Sequence, residues 1–336
     1  MSSRLWAKTT FMKQFLSCDW GTTSFRLRLI EAESLAIIDE EKTSHGIAQT
    51  FQLWKQSGEN EESRLAFYLD FISKPIKIIE KRAGISLSGL PLIISGMASS
   101  TIGMIDLSYK DIPIAVTGED VKTHTIDATN SFQHTVLIIS GVRTADDVIR
   151  GEETKLIGCA SGISNYEEHL YIFPGTHPKH IEVKNGKAAA FKTYMTGEFF
   201  ELLSKKSILS VSVKEDKNSA LENNLQSFEK GVKESINTNL LHGSFLVRTN
   251  DLFKELTPEE NYYYLSGLLI GAELKDVTDE TRNITIVGNA ALATQYLMAL
   301  NILGLPKEGA AVTEMDADEA LIKGQIQVYK KTVEKA

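Results

Sequence analysis

Four short apolar runs that end in glycine punctuate the chain: Leu92-Ile93-Ile94-Ser95-Gly96, Val136-Leu137-Ile138-Ile139-Ser140-Gly141, Tyr171-Ile172-Phe173-Pro174-Gly175 and Ile284-Thr285-Ile286-Val287-Gly288. Runs of this length, rich in Ile and Val and without alternation, predict strands buried on both faces. The closing glycines let the chain turn sharply or a ligand approach the backbone. Ligands of open α/β sheets bind outside the carboxyl ends of the strands, so the glycines predict the rim of one cleft. Between the strands the period changes. Leu65, Leu69, Ile72, Ile76 and Ile79 form a helical stripe, with Pro75 as a kink and Gly84 as a stop. A second helix is predicted from Pro258 to Leu274, with Thr257 as N-cap and Pro258 in the first helical position. Its small residues Ser266-Gly267 and Gly271-Ala272 suit close packing, and its charged flanks exclude a membrane-dimer reading. The charged stretch from Lys214 to Asn224 reads as a solvated loop or helix face, and a C-terminal helix is expected near Glu319 to Val328.

One pattern occurs twice. Phe15-Leu16-Ser17-Cys18 runs into Asp19-Trp20-Gly21-Thr22-Thr23, and Phe25 to Ile30 then alternates as a strand does. In the second half Leu170 to Phe173 runs into Pro174-Gly175-Thr176-His177, followed by His180 to Lys184, the hairpin turn Asn185-Gly186 and a return strand. Each copy predicts a buried strand, a tight Gly-Thr loop and an antiparallel strand folding back. Such a loop aims backbone N–H groups and a hydroxyl at one spot, as a phosphate oxygen requires. Two of them imply a duplicated fold holding a nucleotide triphosphate. The expected division is an extension over 1–13, a first domain over 14–163 and a second over 164–330. The joint lies near Ser161-Gly162-Ile163-Ser164-Asn165, and the C-terminal helix is free to return to the first domain.

Composition narrows the partners. The 336 residues suffice for two cores, and 42% apolar and 24% charged content is that of a soluble globular chain. A net charge of −8 without a basic block argues against nucleic acid. No apolar run is long enough to span a bilayer, and the polar start is no secretory signal. Two cysteines, Cys18 and Cys159, without metal-type spacing fit a reducing cytoplasm. Self-association as a homo-oligomer is left open.

No G-x-x-x-x-G-K-[ST] motif occurs, and no G-x-G-x-x-G follows a strand. The phosphate-binding candidates are therefore Gly21, Thr22 and Thr23 in one loop and Gly175 and Thr176 in the other. Asp19, where a buried strand meets a glycine loop, is the candidate Mg²⁺ residue, acting through water. His177 and His180 lack a third ligand nearby and read as polar cleft residues, not zinc ligands.

The motifs Asp19-Trp20-Gly21-Thr22-Thr23 with Arg26, Ser95-Gly96-Met97, Arg150-Gly151-Glu152-Glu153-Thr154, Pro174-Gly175-Thr176-His177 with Lys179, Met195-Thr196-Gly197-Glu198 and Ser266-Gly267-Leu268-Leu269-Ile270-Gly271-Ala272-Glu273 occur in an order that resembles the 2-dehydro-3-deoxygalactonokinase family. The likeness runs from Phe15 to about Val328. It implies an α/β fold of two actin-like (ribonuclease H-like) ATPase domains around an interdomain cleft, using ATP and Mg²⁺. It also implies phosphorylation of the 6-hydroxyl of 2-dehydro-3-deoxy-D-galactonate in D-galactonate breakdown. On this resemblance Gly288 belongs to the nucleotide side, and Gly96, Thr196 and Glu198 to the substrate side. Two departures from the family pattern stand out. His180 and Pro178 replace a usual Trp and a usual Cys or Ser, and Gly288-Asn289-Ala290-Ala291 lacks a glycine pair, which bears on contacts to the nucleotide base.

Phosphoryl transfer also needs a proton acceptor. Glu152 and Glu153, at a helix start, are the first candidates and Asp147 the third; adjacent acids there also serve the helix dipole. An anionic substrate needs a cation, for which Arg143, Arg150 and Lys179 stand beside the motifs. The rival readings are a kinase of the same fold acting on a neutral or amino sugar, and a nucleotide-switched binding ATPase. No appended module that would report a nucleotide state is evident, which disfavours the switch and a transcriptional regulator.

Overall fold

The computed structural model describes residues 12–160, 168–216, 221–277, 280–307 and 309–335. The main strands, numbered along the chain, are β1 (Gln14–Trp20), β2 (Phe25–Glu31), β3 (Ile37–Thr43), β4 (Leu92–Gly96), β5 (Thr123–Ile126), β6 (Val136–Ile139), β7 (His169–Phe173), β8 (Lys179–Lys184), β9 (Lys187–Thr193), β10 (Asn283–Gly288) and β11 (Val312–Asp316). The helices are α1 (Ile47–Ser57), α2 (Arg64–Ala83), α3 (Glu152–Ala160), α4 (Thr196–Lys206), α5 (Glu222–Asn237), α6 (Leu240–Leu252), α7 (Pro258–Leu274), α8 (Ala290–Ile302) and α9 (Ala317–Glu334). The chain divides into two compact units, Met1–Ile163 with Asp318–Ala336, and Ser164–Ala317. The joint expected at Ser161 to Asn165 lies outside the described residues, as does all of the expected extension except residues 12 and 13.

In the first unit the strand order is β3-β2-β1-β4-β6-β5. The first three strands form an antiparallel meander, and β4 and β6 run parallel to β1. Parallel neighbours need a crossover, which α1 and α2 supply between β3 and β4. Alternation sorts β1: Leu16, Cys18 and Trp20 enter the core that holds Trp54, Tyr68, Ile72 and Ile76 of α1 and α2. Trp20 stacks on Phe71 at 5.3 Å between ring centroids and meets Phe25 edge-on at 5.0 Å. α2 runs unbroken with Pro75 inside it, and Gly84 closes it in the left-handed region at φ 67°.

The opposite sheet face carries Phe15, Ile30, Ile93 and Leu137, packed against Ile157 of α3 and Ile322 and Ile326 of α9. These two helices touch backbone to backbone. A Cβ on Gly158 would lie 1.9 Å from the Ala320 carbonyl oxygen, and one on Gly324 would lie 1.8 Å from that of Thr154. This contact belongs to the first unit, so the second unit ends at Ala317, short of the expected 330.

The second unit repeats the topology. Its strands β9-β8-β7-β10-β11 follow the order of β3-β2-β1-β4-β6, with the same antiparallel meander and the same two parallel additions. The β8–β9 turn is Asn185-Gly186, both residues at positive φ. Leu170, Ile172, Ile284 and Ile286 pack under α5, α7 and α8. α5 and α7 approach as closely as the small residues allow, a Cβ on Gly267 falling 2.1 Å from the Phe228 carbonyl oxygen. α7 starts at a capping box in which Thr257 and Glu260 satisfy each other's backbone N–H. In the charged stretch from Lys214 to Asn224, residues 214–216 are irregular and Glu222 already begins α5.

Gly158→Ala tests the α3–α9 contact by its sign. In an exposed helix interior the change would stabilise by about 0.5–1 kcal/mol. Here the added methyl forces two helices apart, and the expected outcome in urea unfolding is a loss on the order of 1–3 kcal/mol.

Candidate active site

The carboxyl end of β1 builds the site in the first unit. Asp19 pairs in register with Arg26 of β2 and Ser95 of β4. At the end of β4, Gly96 has φ 91°; a Cβ there would lie 2.7 Å from the Trp20 carbonyl oxygen and 3.5 Å from Asp19 Oδ1. Gly151 approaches from the other side, its would-be Cβ 3.5 Å from the Gly96 Cα. Gly96 thus leaves open the space beside Asp19 that a side chain would fill, with Gly151 packed on Gly96. The following loop is tied back: Ile47 and Ala48 at the start of α1 donate to the Gly21 and Thr22 carbonyls at 2.9 and 3.1 Å. Thr22 and Thr23 remain on the exposed side. Among the described residues no three His, Cys, Asp or Glu side chains converge as a metal cage. A hard cation beside Asp19 would take one carboxylate and fill its remaining positions with water and phosphate oxygens, which suits Mg²⁺.

Charges of alternating sign frame Asp19. Arg26 and Arg28 both pair with Asp318 in the first turn of α9, at 2.6 and 2.5 Å, and Arg28 also reaches Glu40 at 2.7 Å. Burial works against the Asp318 charge, but Arg28 and Arg26 hold its carboxyl below the usual carboxylate range. Lys155 of α3 has Asp19, Glu152, Asp318 and Glu153 as charged neighbours; burial opposes its ammonium, yet these acids hold its pKa above the usual lysine value. Lys155 was not among the sequence candidates. Its signal was the three-residue spacing from Glu152 on one helix face. Two turns further along α9, Gln325 Nε2 donates to Ser95 Oγ at 2.6 Å and to the Cys18 carbonyl at 2.9 Å.

The structure separates the three candidate acids. Glu153 is fully buried; Oε2 accepts from the Gly151 N–H at 2.6 Å and Oε1 from the Thr154 hydroxyl at 2.9 Å. Burial, with the Glu152 charge beside it, pushes its pKa up to about 7. Its carboxyl holds the Gly151 turn and does not face solvent. Glu152 is half-buried and accepts the Arg150 N–H at 3.2 Å. Asp147 stands in a turn, its N–H on Thr144 Oγ1 and its Oδ1 accepting from Val148. Of the basic candidates, Arg143 is exposed and paired with Asp111 at 2.6 Å. Arg150 lies inward: its guanidinium covers the Tyr109 ring at 4.2 Å, and Nη1 donates to the Ser99 carbonyl and hydroxyl.

In the second unit the loop after β7 carries the other candidates. Thr176 and His177 are exposed, and a Cβ on Gly175 would meet open space. Gly288, at the end of β10, faces Pro174, a Cβ there lying 3.5 Å from the proline Cδ. Lys179 is buried and donates to the His177 carbonyl. Thr196 is also buried, and its hydroxyl donates to Glu273 instead of facing solvent. Glu198 N–H donates to the Thr176 carbonyl at 3.0 Å, and its carboxylate meets His177 Nε2. His180 is buried, with Nε2 on Glu273 Oε1 at 2.8 Å.

Glu153 leads to a pH test. Its folded pKa lies above the usual glutamate value of 4.5, so between about pH 4.5 and 7 the native state keeps a proton that the unfolded chain has released. Its contribution is complete below pH 4.5 and is lost as pH rises through 7, an effect on the order of 3 kcal/mol. Denaturant unfolding of wild type and Glu153→Gln at pH 5 and pH 7.5 should show a decline in the wild type that the variant lacks.

The 2-keto-3-deoxy-galactonokinase family matches the chain over residues 19–328, from the candidate metal residue into α9. A Rhizobium meliloti (strain 1021) protein named as a probable 2-dehydro-3-deoxygalactonokinase is 29% identical over 92% of this chain and 94% of its own. The 2-dehydro-3-deoxygalactonokinase of Escherichia coli (strain K12) is 27% identical over 87% of this chain and 90% of its own. A Sinorhizobium meliloti crystal structure, described provisionally as the same kinase, superposes with a TM-score of 0.72 at 26% identity, covering 95% of this chain and 99% of that one. With Asp19, the Gly96–Gly151 approach and both Gly-Thr loops inside the matched span, the chain belongs to the 2-keto-3-deoxy-galactonokinase family.

Proposed function

We propose that this protein transfers the γ-phosphate of ATP to the 6-hydroxyl of 2-dehydro-3-deoxy-D-galactonate. The observation that carries the reading is Asp19 at the carboxyl end of β1, with the backbone of Gly96 close against its carboxylate and Gly151 packed on Gly96, in a chain of this family. Asp19 would hold Mg²⁺, which when bound neutralises phosphate charge during transfer. Gly21, Thr22 and Thr23 in the first unit, and Gly175 and Thr176 in the second, offer backbone N–H and hydroxyl groups to phosphate oxygens. Glu152 is the proton acceptor, because it is the half-exposed member of the Glu152–Glu153 pair. Arg150, beside Gly151 and anchored on Ser99, is the cation for the sugar-acid carboxylate. Arg143, exposed and paired with Asp111, is a surface charge in this reading.

An ADP-release assay over 2-dehydro-3-deoxygalactonate, other keto-deoxy acids, galactose and glucose tests the proposal. The named acid should give by far the largest kcat/KM; equal values for the acid and a neutral hexose would leave only a kinase of unassigned sugar. In the same assay Asp19→Asn should nearly abolish turnover at ordinary Mg²⁺ while thermal unfolding stays unchanged. Glu152→Gln should lower kcat by roughly 10²–10⁴-fold with a modest change in KM, and Asp147→Asn should not. Arg150→Ala should raise the KM for the acid by roughly 30-fold or more, the cost of an unpaired buried carboxylate.

A further inference from the structure

In the second unit one buried carboxylate holds two separate segments. Glu273, near the end of α7, is 4% exposed. Its Oε1 meets His180 Nε2 at 2.8 Å, and its Oε2 accepts the Thr196 and Tyr296 hydroxyls, the latter at 2.8 Å. His180 lies on β8, just beyond the Gly175-Thr176 loop, and Thr196 is the first residue of α4. His180 Nδ1 is buried with no partner among the described residues, so hydrogen placed on Nε2 fits the geometry: it is donated to Glu273.

The amino end of α4 is itself pressed on the loop. A Cβ on Gly197 would lie 2.4 Å from the Gly175 carbonyl oxygen and 2.7 Å from the Thr176 Cα. Glu198 adds the N–H bond to the Thr176 carbonyl, and its carboxylate holds His177. The loop is thus gripped at its exit through His180 and across its back through Thr196, Gly197 and Glu198, with Glu273 the common anchor.

We propose that Glu273 is a positioning residue for the nucleotide: by bonding His180 and Thr196 together it sets the Gly175-Thr176 loop in the shape that receives phosphate. This rests on the reading of that loop as a phosphate loop. Removing the anchor should loosen phosphate binding more than it slows chemistry or weakens the sugar acid. Glutamine keeps the size of Glu273 but turns an NH₂ group toward either the two hydroxyls or the imidazole, so it cannot accept at both ends. Thr196→Val removes one donor at nearly constant volume, and Thr196→Ser restores it.

The experiment measures Mg-ATP binding by calorimetry, and KM for ATP and for the sugar acid, on the full chain of each variant. Glu273→Gln and Thr196→Val should weaken ATP binding and raise its KM by roughly tenfold or more, with the sugar-acid KM within about threefold of wild type. Thr196→Ser should recover wild-type values, and the double variant should be little worse than the worse single one, because both break one linkage. If Glu273→Gln does not fold, the Thr196→Val and Thr196→Ser pair carries the test alone. Wild-type ATP binding in folded Glu273→Gln and Thr196→Val overturns the inference. A wild-type protein that binds no nucleotide overturns the functional reading beneath it.

Discussion

An unpaired carboxylate is costly to bury, so on a strand covered on both faces it stands where the strand leaves the core. β1 obeys this constraint, and the first unit is arranged around it. Phe15, Leu16 and Cys18 are fully buried, and Asp19, four residues beyond Phe15, reaches partial exposure. The face under α3 and α9 grades the same way, from Phe15, Ile30 and Ile93 to Asp19, Arg26 and Ser95. Both covering helices begin with acids beside that charged end, Glu152 and Glu153 on α3 and Asp318 and Glu319 on α9. Arg26 and Arg28 give Asp318 partners of opposite sign, Lys155 does so for Glu152 and Glu153, and Glu319 pairs with Lys323.

The second unit uses the same strand order for a different electrostatic arrangement. Aligned on the Gly-Thr pair of each loop, Phe173 stands where Asp19 stands, so the second loop has no carboxylate at its strand end. Its acid is inside, at Glu273, enclosed by three hydrogen-bonding side chains. Duplication of the fold therefore did not duplicate the chemistry: one unit presents a carboxylate at a strand end, and the other uses a carboxylate to shape a loop.

His180, a departure from the expected family pattern, has a place in that second arrangement. A buried imidazole needs an acceptor for its N–H, and Glu273 supplies it at 2.8 Å while the ring packs 4.5 Å from that of Tyr194. Pro178 sits in the same turn, and its carbonyl accepts the Tyr194 N–H at 2.8 Å. His180 and Pro178 thus fall on one structural element, the exit of the Gly175-Thr176 loop, while Gly288-Asn289 lies apart at the junction of β10 and α8.

Features written in a few consecutive residues were legible without coordinates. The glycine-ended runs became β4, β6, β7 and β10, Asn185-Gly186 became the hairpin turn, and Thr257-Pro258 became the start of α7. Each depends on local period, a cap or a required φ, and a window of four to ten residues contains all of that information. The family motifs likewise carried the fold class. Tertiary structure alone distinguished Glu152 from its buried neighbour Glu153 and turned the Thr196 hydroxyl inward to Glu273. It also brought Asp318 and Gln325 of α9 to Arg28 and to Ser95. Those outcomes depend on which helix covers which sheet face, and the partners lie tens to hundreds of residues apart. Adjacent acids on a helix look alike in sequence because the spacing that separates a buried position from an exposed one is set by the neighbour packed against it.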